Sequence, residues 1–308
     1  MEKYQIQTLN KSLKNWLELS RLRTLPLALC PVFLGIALSF STTQGLNLVF
    51  YFCVFLTIAL QILANWANDL GDGLKGTDTN RIGPERMLAS GKISIKMLKK
   101  AIYSLASLIF LTIICFFLTY NLDVNVEILF IVLGFLCIIS AVTYTWGQHA
   151  YGYKTLGDIM VFIFFGLVGT LGTAYLYAPQ QFNLLYILPA SALGFLSVAV
   201  LHANNLRDLE NDKKCQKITL AVVLGVKKSK TYQVLLIVSA FLFFLIFFQI
   251  QAYAWYFYGS FLAFIPLFFS LYRTLYVENL QAMDRELPLI VLSTFSFCLL
   301  FLIQSYFF

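Results

Sequence analysis

The sequence predicts an all-α integral membrane protein with nine transmembrane helices. Three observations predict it. Of the 308 residues, 59% are hydrophobic and only 12% charged, where a soluble domain carries about 25% charged residues; mean hydropathy is +0.77. The apolar residues gather in nine runs near the ~20 residues a spanning helix needs. Finally, drawing nine spans sends all 22 Lys and Arg to one side of the membrane.

The runs lie at 24–43, 46–67, 97–120, 126–146, 156–177, 183–204, 232–250, 253–272 and 287–306. Short connections follow residues 43, 120, 177 and 250, alternating with longer charged ones, the longest at 68–96 and 205–231. Residues 1–20 are polar and lack the apolar core and small-residue cleavage site of a signal peptide. Leu13, Trp16, Leu17 and Leu19 give that stretch an amphipathic side suited to a membrane surface. With the N-terminus cytoplasmic, the four outer loops hold no Lys or Arg, as the positive-inside rule requires. A wrong helix count would scatter basic residues outside, so the same observation predicts an N-in, C-out topology. It also explains the net charge of +7 without nucleic acid. The expectation is one polytopic domain over 1–308 in the cell membrane, with 1–20 as a cytoplasmic segment. Five of the six cysteines sit in apolar runs and no C-x-x-C occurs, so they read as small buried hydrophobes.

The scarce acids point to chemistry. There are 15 Asp and Glu, and six fall in two short stretches: Asp69, Asp72 and Asp78, then Asp208, Glu210 and Asp212. Asn68 and Asp72 are four apart and share a helix face. Asn204, Asp208 and Asp212 repeat that spacing. Ala67-Asn68-Asp69-Leu70-Gly71-Asp72 and Ala203-Asn204-Asn205-Leu206-Arg207-Asp208 echo each other as Asn-x-x-x-Asp at the ends of two spans, which suggests a duplicated half. Carboxylates crowded at a membrane boundary are costly unless something positive offsets them. Oxygen-only ligands suit Mg²⁺, which commonly takes a few carboxylates plus substrate phosphates. Two facing clusters would hold a diphosphate between them, with the active site toward the cytoplasm. Lys75, Arg81 and Arg86 flank the first stretch, and Arg207, Lys213, Lys214 and Lys217 the second. The positive-inside rule places many of these, but Arg81, Arg207 and Lys154 are the better candidates to grip phosphate oxygens. Tyr144, Tyr151 and Tyr153 are the rings placed to stabilise a carbocation; most of the 30 Phe and 17 Tyr are structural.

Other readings fail. Gly71-Asp-Gly73-Leu-Lys-Gly76 matches G-x-G-x-x-G literally, but a spanning helix precedes it, not the strand of a dinucleotide site. His149 and His202 are not spaced as metal ligands, and His202 reads as a local hydrogen-bonding residue near a helix end.

Asn68-Asp69-x-x-Asp72 with Lys75-Gly76-Thr77-Asp78 and Arg81-Ile82-Gly83-Pro84 resembles the first Asp-rich motif of the UbiA-type prenyltransferases, and more narrowly of the branch acting on 1,4-dihydroxy-2-naphthoate in menaquinone synthesis. Similar too are Asn204-Asn205-Leu206-Arg207-Asp208 through Asp212, Lys217-x-Thr219-Leu220-Ala221-Val222, and Tyr144-Thr145-x-Gly147 through Tyr151-Gly152-Tyr153-Lys154-x-Leu156-Gly157-Asp158. Leu70, Ala150 and Val223 depart from the pattern, and none removes a carboxylate. The resemblance implies nine helices around a central cavity. It implies transfer of a polyprenyl group from polyprenyl diphosphate to 1,4-dihydroxy-2-naphthoate, with loss of diphosphate and CO₂. Asn68, Asp72, Asp208 and Asp212 would be the Mg²⁺ ligands, with Asp72, Asp208 and Lys154 catalytic. Arg81, Lys154, Arg207, Asn204, Tyr144 and Tyr151 would bind substrate. Rival readings keep the fold with another acceptor (4-hydroxybenzoate, homogentisate or a haem), or make the protein a carboxylate-lined transporter.

Overall fold

The computed structural model describes residues 12–40, 45–77, 85–120 and 122–307. Among them, nine helices are long and apolar enough to cross a membrane. They are α1 (Ser12–Ser39), α2 (Leu48–Lys75), α3 (Ile95–Thr119), α4 (Val124–Thr143), α5 (Gly157–Tyr177), α6 (Leu184–Arg207), α7 (Leu220–Ile250), α8 (Trp255–Tyr276) and α9 (Leu280–Phe307). No strand is formed among the described residues beyond one isolated bridge, Lys154 with Ile218.

The nine apolar runs become nine helices, but several extend past the apolar stretch into polar sequence. A helix ends where its hydrogen-bond ladder is capped, not where hydropathy falls. The ladder of α2 continues through Asn68, Asp69 and Asp72 to Lys75 and is closed by Gly76, at φ 70. Thr77 N–H bonds Asp72 O at 3.2 Å, and Gly76 N–H bonds Gly73 O at 3.4 Å. This is a Schellman cap, which needs a left-handed residue where Gly76 stands. The same turn closes the short helix Leu209–Lys214 after α6. There Gln216 is left-handed (φ 55), Lys217 N–H bonds Asp212 O at 2.9 Å, and Gln216 N–H bonds Lys213 O at 3.3 Å. α7 begins at Leu220, twelve residues before the expected 232, and bends at Gly225, whose φ 68 and ψ 172 are not helical.

By contacts the chain divides into two compact units, Met1–Leu25 with Ala59–Tyr153, and Pro26–Ile58 with Lys154–Phe308. In the first, the start of α1 lies along α2. Trp16 meets Trp66 edge-on at 5.1 Å, and Trp66 Nε1 donates to Ser20 Oγ at 3.1 Å. Asn65 Nδ2 donates to Ser20 O (2.9 Å) and Thr24 Oγ1 (3.1 Å), and Gln61 Nε2 to Thr24 Oγ1 (3.0 Å). The amphipathic side expected for this segment is split: Leu13 and Leu17 are exposed, while Leu19 is buried. Residues 1–11 lie outside the described residues.

In the second unit α6 is the central element. Its Gly194 accepts the backbone of α5, where a Cβ on Gly166 would stand 2.6 Å from Gly194 Cα. That contact falls in a π-helical stretch, Phe162–Val168, an irregularity often kept at functional positions. Many of the rings fill this unit's core: Phe244, Phe264, Phe297 and Phe301 are each about 1% exposed or less, and Phe244 and Phe297 approach to 4.2 Å.

Candidate active site

The first Asp motif occupies the last turns of α2. Asp69 and Asp72 are both 2% exposed. A buried carboxylate needs donors and a counter-charge. Leu88 N–H donates to Asp69 Oδ2 at 2.9 Å, and the Tyr153 hydroxyl donates to Asp72 Oδ1 at 2.7 Å. The Arg86 guanidinium, itself buried, lies between them, 3.8 Å from Asp69 and 3.7 Å from Asp72. Arg21 adds a second cation, 3.9 Å from Asp69, and donates to Asn68 Oδ1 at 3.2 Å. Thr77 Oγ1 donates to Asp72 O and lies 3.3 Å from the Tyr153 hydroxyl.

The loop after α4 supports this turn. A Cβ on Gly71 would stand 2.5 Å from the carbonyl carbon and oxygen of Thr145, so glycine is what permits the approach. Lys75 Nζ donates to Thr145 O at 3.1 Å and sits 3.7 Å over the Tyr153 ring. The three glycines that mimicked a dinucleotide motif thus serve helix packing and capping. Tyr144 and Tyr151 meet edge-on at 5.3 Å, and the Tyr151 hydroxyl bonds Ser140. Burial pushes the Tyr151 phenol up to about 12, so it stays neutral. Arg81 and Asp78 lie outside the described residues.

The second motif straddles the end of α6. Arg207 is buried and fully engaged. Its Nε and Nη2 take both oxygens of Asp208 (2.7 and 2.8 Å), Nη2 also reaches Asn204 Oδ1 (2.7 Å), and Nη1 reaches Asp284 Oδ1 (2.5 Å). A planar fork suits such bidentate work, which Lys could not perform. Asp212 is 3% exposed, with Lys217 Nζ at 3.9 Å. Lys154 is exposed, and its neighbour Thr155 donates its N–H to Ile218 O at 2.9 Å.

The structure therefore gathers Asn68 and Asp72 in one cluster and Asn204, Arg207 and Asp208 in another. Arg207, expected to grip phosphate, is held by protein acceptors. Arg86, Arg21 and Asp284 emerge as site residues. Arg86 was visible only as one of several loop cations; Arg21 and Asp284 carry no periodic signal. No three His, Cys, Asp or Glu side chains form a metal-holding group among the described residues. Each motif offers carboxylate and amide oxygens, too few for an all-protein cage. That donor set fits an ion such as Mg²⁺, which completes its shell with phosphate and water.

The UbiA prenyltransferase family model matches residues 28–305. The chain is 45% identical to 1,4-dihydroxy-2-naphthoate octaprenyltransferase of Haemophilus influenzae, over 80% of this chain and 81% of that protein. It is 40% identical to the Escherichia coli protein of the same name, over 73% of each. Among solved structures it is similar in fold to a UbiA homolog from Archaeoglobus fulgidus bound to GPP and Mg²⁺, with TM-score 0.60, 16% identity, and cover of 92% of this chain and 99% of that one.

Proposed function

This chain belongs to the UbiA prenyltransferase family, and we propose that it transfers a polyprenyl group from polyprenyl diphosphate to 1,4-dihydroxy-2-naphthoate, giving demethylmenaquinone. The likeness to two naphthoate prenyltransferases at 40% identity or better carries the choice of acceptor. The buried oxygen clusters support the reaction type.

The allylic C–O bond breaks and its electron pair leaves with diphosphate. The ring carbon bearing the carboxylate attacks the allylic cation; CO₂ then departs and its bonding pair returns to the ring. Atoms and charge balance without a strong general base. Asn68, Asp72, Asp208 and Asp212 are the residues that would hold Mg²⁺. When bound, the ion supplies positive charge to the departing diphosphate. Arg86 and Tyr153 hold the Asp72 carboxylate in place, so its orientation is set before substrate arrives. Arg207 presents Asn204 and Asp208 together and carries charge beside the leaving group. Lys154, exposed at the end of the Tyr-Gly-Tyr-Lys loop, is suited to reach phosphate oxygens, and we assign Arg81 the same role. The Tyr144 and Tyr151 rings offer neutral faces to the cation. The one-sided distribution of Lys and Arg supports an N-in, C-out orientation with this chemistry at the cytoplasmic face of the cell membrane.

The test is prenyl transfer by purified protein in detergent, with 1,4-dihydroxy-2-naphthoate, a polyprenyl diphosphate and Mg²⁺. A demethylmenaquinone product that disappears with EDTA is expected. Turnover of 4-hydroxybenzoate or homogentisate instead would overturn the acceptor. Substrate flux in proteoliposomes without transfer to any acceptor would overturn the reaction.

A further inference from the structure

A second buried polar cluster lies in the unit Pro26–Ile58 with Lys154–Phe308, outside the Asp motifs. Asp158 opens α5, His202 sits on α6 and Tyr232 on α7. His202 is 0% and Asp158 4% exposed. His202 Nε2 lies 3.2 Å from the Ser229 carbonyl oxygen. A carbonyl only accepts, so Nε2 carries a proton. That turns Nδ1 toward Asp158 Oδ2, 3.8 Å away, and neither atom has a hydrogen-bond partner elsewhere. Tyr232 stands edge-on to the imidazole, with ring centroids 4.8 Å apart. Two lone pairs facing each other in an apolar setting repel unless a proton lies between them.

The cluster's position gives it a use. One turn back along α6, Gln233 Nε2 donates to Ala199 O at 3.0 Å. His202 to Ser229 is the next rung of this α6–α7 ladder, and beyond it come Asn204, Arg207 and Asp208. Asp158 ties α5 to that rung. Three residues before Asp158, Thr155 bonds Ile218 O, just past Asp212 and Lys217. The segment 154–158 thus holds both ends of the second Asp motif, one through the Asp158–His202 pair and the other through backbone.

We propose that Asp158 and His202 hold one proton between them, and that this shared proton, with Tyr232, fixes the start of the second Asp motif. Asp158, His202 and Tyr232 are positioning residues for Asn204 and Asp208. The spectroscopic test is independent of the proposed reaction; the kinetic test rests on it.

The chain has two histidines, and His149 is exposed. His149→Gln therefore leaves one imidazole for ¹⁵N NMR of the full protein in detergent. A protonated Nε2, with Nδ1 displaced from the position of a bare acceptor nitrogen, is expected. In Asp158→Leu the Nδ1 signal should move to that bare position. A bare Nε2, or no change in Asp158→Leu, overturns the shared proton. For the kinetics, an Asn at 158 can either donate to or accept from Nδ1. Asp158→Asn should keep the Mg²⁺ concentration for half-maximal rate near that of the parent protein. Asp158→Leu should raise it by about 10–100-fold, the usual cost of losing an outer-shell partner, with KM for the aromatic acceptor unchanged. Equal damage by Asn and Leu, or a matching rise in acceptor KM, overturns the positioning role. If Asp158→Leu does not accumulate, the His149→Gln spectrum and Asp158→Asn still decide.

Discussion

Replacing Arg86 with Met tests whether one side chain stabilises the first Asp motif. The guanidinium stands 3.8 Å from Asp69 and 3.7 Å from Asp72. At an effective dielectric of ~20, each pair attracts by about 4 kcal/mol. Burying the arginine offsets much of this. Its removal, however, leaves two buried carboxylates less than one helical turn apart, and breaking such a pair costs about 3–5 kcal/mol. Met keeps most of the volume, so the loss is electrostatic. Mg²⁺ brings positive charge to the same oxygens and should recover part of it. Thermal unfolding in detergent, followed by tryptophan fluorescence with and without Mg²⁺ and inorganic diphosphate, reads both effects. Arg86→Met should melt lower than the parent protein without metal, and its gain in melting temperature on adding Mg²⁺ should be the larger. An unchanged melting temperature with an unchanged Mg²⁺ gain would refute the assignment of Arg86 as the motif's resident counter-charge.

Tyr153→Phe removes the 2.7 Å hydrogen bond to Asp72 but keeps the ring under Lys75; a bond to a charged group contributes about 1.5–3 kcal/mol. The Mg²⁺ requirement of the initial rate should rise while the protein stays folded, and an unaltered Mg²⁺ titration would count against Tyr153. Gly71→Ala forces a methyl to 2.5 Å from the Thr145 backbone, at a cost of about 1–3 kcal/mol for overpacking, so both melting temperature and rate should fall together. Gly76→Ala should cost about 1 kcal/mol at its left-handed cap, whereas Gln216→Gly should be neutral or stabilising by less than ~1 kcal/mol, because glycine's freedom in the unfolded chain offsets the relief; chemical denaturation of the two variants checks the signs.

How much of this was legible depends on the kind of interaction. Spanning helices follow from local hydropathy, and all nine were readable. The shared face of Asn68 and Asp72 follows from a spacing of four. Helix ends were less readable: α2 runs to Lys75 because its cap is at Gly76, a dihedral property that hydropathy does not register. Which cation serves which carboxylate was not readable at all. Arg86 reaches Asp69 across 17 residues and Arg21 across 48, by tertiary packing. Arg207 was expected to grip phosphate; that Asp284 is one of its partners was not readable, since it lies 77 residues away. His202 looked local in the sequence, yet its contacts are to α5 and α7, made where three helices pack.

The two capped turns also bear on how the two Asp motifs of this chain are compared. At Gly76 and at Gln216 the backbone takes the same left-handed step, and in each the N–H five residues on closes onto an aspartate carbonyl, Asp72 in one and Asp212 in the other. Aligned by residue identity, the pair Asn68/Asp72 falls on Asn204/Asp208. Aligned by dihedral register, Asp72 falls on Asp212, one turn further along. A comparison that scores letters therefore sets the two motifs in a register one turn away from one that scores torsions, and the left-handed position is held by glycine in one turn and by glutamine in the other.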